Sequence, residues 1–531
     1  MGSYLLIEGH VYSPADPFAT AMLVVDGTVA WVGDDAGAVV HRDSVDQVRS
    51  LQGALVTPAF VDPHVHATAT GLLLTGLDLS GCGSLAEFTA RLRAVAAGPG
   101  LVLGHGWDET GWPEGRPPTA QDVQTALGDR PAYLTRVDVH SAVVSPALLA
   151  AYPEAARLPG FRDDGRLSRE AHHRVREGAL GSITAEHRRA SQQATLRRAA
   201  SLGIASLHEN GGPSISSAED FLDLLALGRD PDAPDVVGYW GELHGHDTAA
   251  ALGARGAAGD LFVDGALGSR TACLRMPYAD MPESTGTAYL SVADVAAHVS
   301  EATVRGTQAG FHVIGDGAAD IVVEGLVQAS REAGADAVRR ARHRLEHVEM
   351  LEDAQMRVLA DLGVVASVQP AFDAAWGGET GMYAERLGAS RARTLNPFSA
   401  MAAHGVMLAL GSDAPVTPLD PWGSVRAAVH HRTPEHRIST RAAFAAHTRG
   451  GRRAAHEEST EPGVLAPGSP ATYAVWAPGP LTVEVPDERV AAWSTDPRSG
   501  TPGLPDLTAG TPECWRTAVR GRVIFDAGAL G

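Results

Sequence analysis

Apolar and polar positions change rhythm twice along this chain of 531 residues. Near the start, within about residues 1–57, short alternating or apolar stretches are cut by Asp-Gly and Gly-Asp pairs: YLLIEGHVYS, AMLVVDGTVAWVGDD and the run up to GALVTP. The same texture returns within about residues 463–531, in PATYAVWAP, LTVEV, RVAAWS and AVRGRVIFD. Period-two alternation bounded by turn residues predicts strands. Two β-rich ends around a different middle predict one small β-sandwich built from both termini.

The middle, residues 58–462, alternates between short apolar runs and longer stretches with helical periodicity. The runs are AFVDPHVH, GIASLHENG, GDLFVDG, AGFHVIGD, RHRLEHVE, GVVASVQP and VMLALGSDAP; helices are expected over 185–202, 292–307 and 318–333. Wholly apolar strands alternating with helices imply an α/β fold with a parallel, helix-covered sheet. A doubly wound open sheet is one solution. Polar residues close nearly every run at its C-terminal end, which favours a (β/α)8 TIM-type barrel, where chemistry gathers at that face. Residues of about 68–190 do not fit one strand–helix unit. They include the Gly/Pro/Trp-rich GHGWDETGWPEGRPPT and predict an inserted subdomain over the barrel mouth, with the second barrel strand inside it.

Composition narrows the partners. A hydrophobic share of 44% with 20% charged residues belongs to a globular protein. The formal net charge is −20 and no basic block occurs, which argues against nucleic acid and anionic membrane surfaces. All 43 residues of the Lys+Arg count are arginine. Without lysine there is no Schiff base, no P-loop lysine and no carboxylated lysine. Cys82, Cys273 and Cys514 are too far apart for CxxC chemistry. The N-terminus lacks a signal-peptide pattern, and no apolar stretch is long enough for a membrane span. A cytoplasmic enzyme acting on a small molecule is expected, with a homodimer as the common arrangement.

The strongest chemical signal is His64-Val65-His66. In a strand, residues i and i+2 face the same side, so both imidazoles enter one space. His312 in AGFHVIGD, His347 in HRLEHVE and Asp413 in LALGSDAP lie at further strand ends. Any one of the 22 histidines reads more naturally as a hydrogen-bonded core residue. Four of them, with an aspartate, at the ends of one strand array read as ligands of Zn²⁺ or of Mn²⁺, Co²⁺ or Fe²⁺.

The motifs TPAFVDPHVH, DGALGSRTA, HVIGD, RHRLEH, SVQP and GSDAPV, in this order, resemble the amidohydrolase superfamily. Within it, the chain is similar to the amidohydrolase family 3 branch of N-substituted formamide deformylase-like enzymes, as is GHGWDETGW. The resemblance implies a (β/α)8 barrel, a β-sandwich from both termini, and metal held by His64, His66, His312, His347 and Asp413. It also exposes a departure. Where family members carry a metal-bridging carboxylated lysine, this chain has Asp260, whose stem is shorter by about four bonds, roughly 5 Å. One ion, with Zn²⁺ preferred, is therefore expected. A second site is doubtful, with Glu209 as another carboxylate near the mouth.

In this reading Asp413 is catalytic, taking a proton from the attacking water and delivering it to the leaving amine. A helix-capping role for Asp413 is the alternative. His140 and His343 are candidates for polarising the scissile carbonyl. Arg270, His140, Trp107 and Trp376 are candidate substrate contacts, with Trp112, Phe372 and Tyr383 in the same segments. Hydrolysis of a non-peptide C–N bond (N-acyl, N-formyl or cyclic amide) leads. An esterase, lactonase or phosphoesterase on the same site, or a catalytically silent ligand-binding relative, are the rival classes. No nucleotide-binding pattern follows any strand.

Overall fold

Eight short, mostly apolar runs form the central strands: β1 (Phe60–Val65), β2 (Ile204–Gly211), β3 (Asp235–Trp240), β4 (Gly256–Ala257), β5 (Gln308–Val313), β6 (Arg344–His347), β7 (Val365–Val368) and β8 (Met407–Leu410). The structure is a computed structural model describing residues 2–98, 100–457, 463–482, 503–508 and 510–530; the expected RVAAWS strand and the end of LTVEV lie outside the described residues. Most positions of these strands are buried, which explains their lack of polar alternation. Helices follow them in turn, among them Ala218–Leu227 after β2, Val292–Arg305 after β4 and Asp316–Ala333 after β5. The architecture is TIM-barrel-like α/β.

The strands pair in parallel as two arcs, β3-β2-β1 and β4-β5-β6-β7-β8. Their ladders are not continuous around a closed cylinder. At one seam Val65 pairs with Ala414, with His66 N donating to Ala414 O at 2.8 Å. At the other, Arg255 N donates to Gly238 O at 2.7 Å. The interruption has a local cause. β4 keeps only two ladder residues, and the chain after it rejoins the sheet through one bridge, Phe262 to His312. Two glycines allow this detour. Gly259 takes φ +87°, and a Cβ on Gly241 would lie 2.8 Å from the Asp260 carbonyl carbon.

Residues 68–190 differ from expectation in one respect. They hold their own five-stranded sheet, Leu77–Asp78, Val102–Trp107, Ala132–Arg136, Ser141–Val144 and Arg166–Ser168, but no strand of the central array. The second central strand is β2, and the third, β3, falls in DVVGYW. That run has no clear apolar pattern in the sequence, because it opens on an aspartate and a glycine splits the rest.

Both chain ends contribute to one five-stranded sheet: His10–Val11, Leu55–Pro58, Tyr473–Trp476, Cys514–Val519 and Arg522–Asp526. A four-stranded sheet of Ser3–Ile7, Ala21–Val25, Thr28–Gly33 and Gln47–Ser50 shares an apolar core with it through Leu6, Met22, Val24, Tyr473, Val475 and Ala518. No helix among the described residues is long and apolar enough to cross a membrane.

Phe60 joins the central strands to this terminal sheet. Its ring meets Trp422 at 5.0 Å, Phe444 at 5.3 Å and Trp476 at 5.8 Å, each nearly edge to face. Phe60→Ala is expected to cost about 3–5 kcal/mol of stability. Urea unfolding followed by tryptophan fluorescence measures it; a loss below about 1 kcal/mol contradicts a joint of this kind.

Candidate metal centre

Strand ends from both arcs deliver the polar side chains to one buried place. His64 and His66 come from the end of β1, His312 from β5, His347 from β6 and Asp413 from the turn after β8. Asp260 comes from the detour after β4. Three overlapping groups have donor atoms within 4.8 Å of one another: His64, His347 and Asp413; His64, His66 and Asp260; Asp260, His312 and His347. The five residues read as ligands thus fall into these groups, and Asp260 belongs to two of them.

His64 Nε2 lies 3.4 Å from Asp260 Oδ1 and 3.3 Å from Asp413 Oδ1, while His66 Nε2 lies 3.1 Å from Asp260 Oδ2 and 3.3 Å from Asp413 Oδ1. His347 Nε2 is 3.8 Å from Asp260 Oδ1. Two ligand atoms on a tetrahedron of zinc-like bond lengths stand about 3.3–3.4 Å apart, so the spacing matches a shared coordination sphere. His64 Nε2, Asp260 Oδ1 and Asp413 Oδ1 are buried without a hydrogen-bond partner. Buried polar atoms are normally paired, and these converge on one another. A divalent cation satisfies all three. The donor set fits the group.

Electrostatics agrees with this. Burial opposes a charged His64, yet the carboxylates of Asp260 and Asp413 hold its pKa well above the ordinary value. Burial likewise opposes protonation of His66, and the facing carboxylates of Asp260 and Asp413 bring it up to about 9. Burial alone would raise Asp260, but His64 and the other imidazoles around it pull it well down. The carboxylates demand positive charge, which a metal supplies in place of protons.

A second layer orients the imidazoles. His64 Nδ1 meets Glu346 Oε2 at 2.8 Å, and His347 Nδ1 meets Gln369 Oε1 at 2.8 Å. Glu346 accepts from Arg344, Nε at 2.5 Å and Nη2 at 3.0 Å, and Arg344 also donates to Pro63 O at 2.7 Å. The guanidinium carbon sits 4.2 Å from the Tyr239 ring centroid. Burial would raise the Glu346 carboxyl, but Arg344 holds it below the usual range, so it stays an acceptor. Asp62 Oδ1 accepts from Ser412 N at 3.0 Å, tying β1 to the turn that carries Asp413. Three residues at the centre take left-handed backbone: His347 at φ 71°, Val348 at φ 41° and Asp413 at φ 56°. For the β-branched Val348 this is an outlier, and such strain persists where surrounding contacts over-determine it.

Over this centre His140, from the segment 68–190 with its separate sheet, stands 5.0 Å from His312 between ring centroids. Burial pushes its pKa well down, leaving a neutral imidazole. It lines one cavity with His66, Asp260, His312 and Asp413. Trp376, Phe372 and Tyr383 line an adjoining cavity with His312, His347 and Asp413.

Other candidates sit elsewhere. Trp107 and Trp112 belong to the inserted subdomain's core, their indoles donating to Leu134 O at 2.9 Å and Cys82 O at 2.7 Å. Arg270 is paired with Asp280 and borders a separate cavity. His343 is a packing residue whose Nδ1 accepts from Ala309 N at 2.9 Å and whose Nε2 meets Thr303 Oγ1 at 2.9 Å. Glu209 accepts from Ala67 N at 2.7 Å, at the start of the helix Ala67–Thr75, and joins none of the donor groups. Glu346, Arg344 and Gln369 lie within RHRLEH and SVQP, but the motifs alone give them no role. The available signal was charge at alternate positions of RHRLEH, which puts Arg344 and Glu346 on one face of β6.

Comparison with known proteins gives a consistent result. The family described as Amidohydrolase matches residues 47–525. The chain is 27% identical over 510 residues to Protein LONG AFTER FAR-RED 3 of Arabidopsis thaliana, covering 87% of this chain and 86% of that protein. It is 24% identical over 446 residues to the N-substituted formamide deformylase of Arthrobacter pascens, covering 78% and 81%. Among solved structures, an uncharacterized metal-dependent hydrolase from Pyrococcus furiosus aligns with a TM-score of 0.68 and 26% identity, over 89% of this chain and 98% of that one.

The Glu346–His64 contact generates a prediction. Glu346→Gln keeps the shape but loses the negative charge facing the imidazole, and metal affinity is expected to fall about 10–100-fold. Competition with a chromophoric chelator reads this directly; unchanged affinity contradicts the orienting role.

Proposed function

The chain belongs to the amidohydrolase family, and from that premise we propose that it cleaves a non-peptide C–N bond, in an N-formyl, N-acyl or cyclic amide, at a divalent metal centre. The observation that carries the reading is the convergence of His64 Nε2, Asp260 Oδ1 and Asp413 Oδ1, all buried and unpartnered. The formamide deformylase among its relatives supports an amide over an ester.

The proposed metal is Zn²⁺, which suits imidazole and carboxylate donors. His64, His66, Asp413 and Asp260 would hold it. His312 and His347 with Asp260 form a second, weaker position. When bound, the ion supplies Lewis acidity and brings the pKa of a water towards about 7. The chain's own residues do the rest. The Asp413 carboxylate accepts the proton of the attacking water and returns it to the leaving amine. His140, neutral and above the centre, donates a hydrogen bond to the scissile carbonyl oxygen as negative charge develops there. Phe372 and Trp376 pack against the part of the substrate that does not react.

The same reading extends to architecture. The two arcs count as one (β/α)8 barrel within residues 58–462, with residues 68–190 inserted. Residues 1–57 and 463–531 form a composite β-sandwich.

Elemental analysis after metal-supplemented expression should give at least one divalent ion per chain. Chelation should abolish turnover of a panel of N-formyl and N-acyl amines, and Zn²⁺ should restore it. Clearly substoichiometric metal, or faster turnover of esters, lactones or phosphoesters than of amides, overturns the assignment. Asp413→Asn is expected to lower kcat by about 10²–10⁴-fold. A variant that keeps more than about a tenth of wild-type turnover rules out the proton shuttle.

A further inference from the structure

The aromatic cavity next to the metal centre contains a carboxylate that the chemistry above does not use. Glu349 lines it together with His347, Phe372, Trp376 and Tyr383. The residue is 2% exposed, and its Oε2 has no hydrogen-bond partner. Tyr383, Asn396 and the His347 imidazole are the polar groups beside it, and Asn396 N donates to the Glu349 carbonyl at 2.8 Å. Among the described residues no arginine forms an ion pair with it.

Arg136, which borders the same cavity, is in the opposite position. Its Nε donates to Glu109 at 2.9 Å, Nη1 to Asp138 at 3.0 Å and Nη2 to Asp108 at 2.8 Å. Three carboxylates saturate the one guanidinium, so it offers nothing to an anionic substrate. A buried carboxylate left without a counter-ion is costly unless a ligand brings the partner. The neighbouring wall suits such a partner. Phe372 and Trp376 lie 5.1 Å apart between ring centroids and Trp376 and Tyr383 6.4 Å, and aromatic faces attract organic cations.

We propose that Glu349 is a specificity-determining residue that binds a cationic nitrogen, an ammonium or amidinium, carried by the non-reacting end of the substrate against the Phe372–Trp376 wall. The inference rests on the hydrolase reading and narrows its substrates to acylated amines bearing a second, positively charged nitrogen.

The metal-replete protein is assayed with two N-formyl alkylamines, one ending in trimethylammonium and the other in its uncharged isostere, tert-butyl. The cation should be favoured by about tenfold or more in kcat/KM, chiefly through KM. In Glu349→Gln that ratio should fall towards one. A measurement on the wild type needs neither turnover nor a folded variant: choline should raise its Tm saturably, whereas 3,3-dimethylbutan-1-ol at equal concentration should not. If neither amide is hydrolysed while choline still stabilises the protein, the hydrolase reading fails and the cation site stands. Equal turnover of both amides, equal Tm shifts from both alcohols, or a ratio that survives in Glu349→Gln overturns the inference.

Discussion

Burying carboxylates and imidazoles around one point is electrostatically unfavourable unless something positive sits among them. That constraint organises this molecule. Asp260 and Asp413 are buried, and both face His64 and His66 at 3.1–3.4 Å. Protons alone serve as a counter-charge only while the imidazoles stay protonated. A divalent cation gives the same compensation and satisfies the unpartnered donor atoms as well. The strand ends, the left-handed residues at 347, 348 and 413, and the glycines at 241 and 259 all bring atoms to that one place.

Support for the centre runs outward through charge as well as packing. Glu346 steadies His64, Arg344 steadies Glu346, and Tyr239 covers Arg344 from β3. Each member is buried, and each would be costly alone. Together they tie β1, β3 and β6 to the orientation of one imidazole. The segment 68–190, with its separate sheet, adds a different kind of control. It places His140 and Asp138 over the centre, so the cavity is shaped by residues far from the ligands in sequence.

The fold was readable where a short buried run ended in a polar break, as in β1, β5, β6, β7 and β8. β3 was hidden because its run opens on Asp235 and is broken by Gly238, leaving only two apolar residues on either side. The sequence places the second strand within the insertion, where PAYLTR and VLGHGW have the texture of central strands; in the structure these two pair in parallel with each other, outside the central array. The five residues read as ligands come together because strand period and strand ends are local properties. The position of Asp260 was not legible: its approach depends on Gly241 making room and on Gly259 turning the chain, which are contacts across β3 and β4. Trp107 and Arg270 illustrate the converse. Their residue types suggested a cleft, but packing sent one into the core of the inserted subdomain and paired the other with Asp280.

The detour that carries Asp260 inward has a consequence for how the protein matures. A carbamate on a lysine must be made after translation, from carbon dioxide, and it is lost when the side chain leaves its metals. An aspartate at this position is present as soon as the ribosome has added it. With Asp260 there and no lysine in the chain, every acidic donor at the candidate centre is encoded in the sequence, and none has to be made from carbon dioxide.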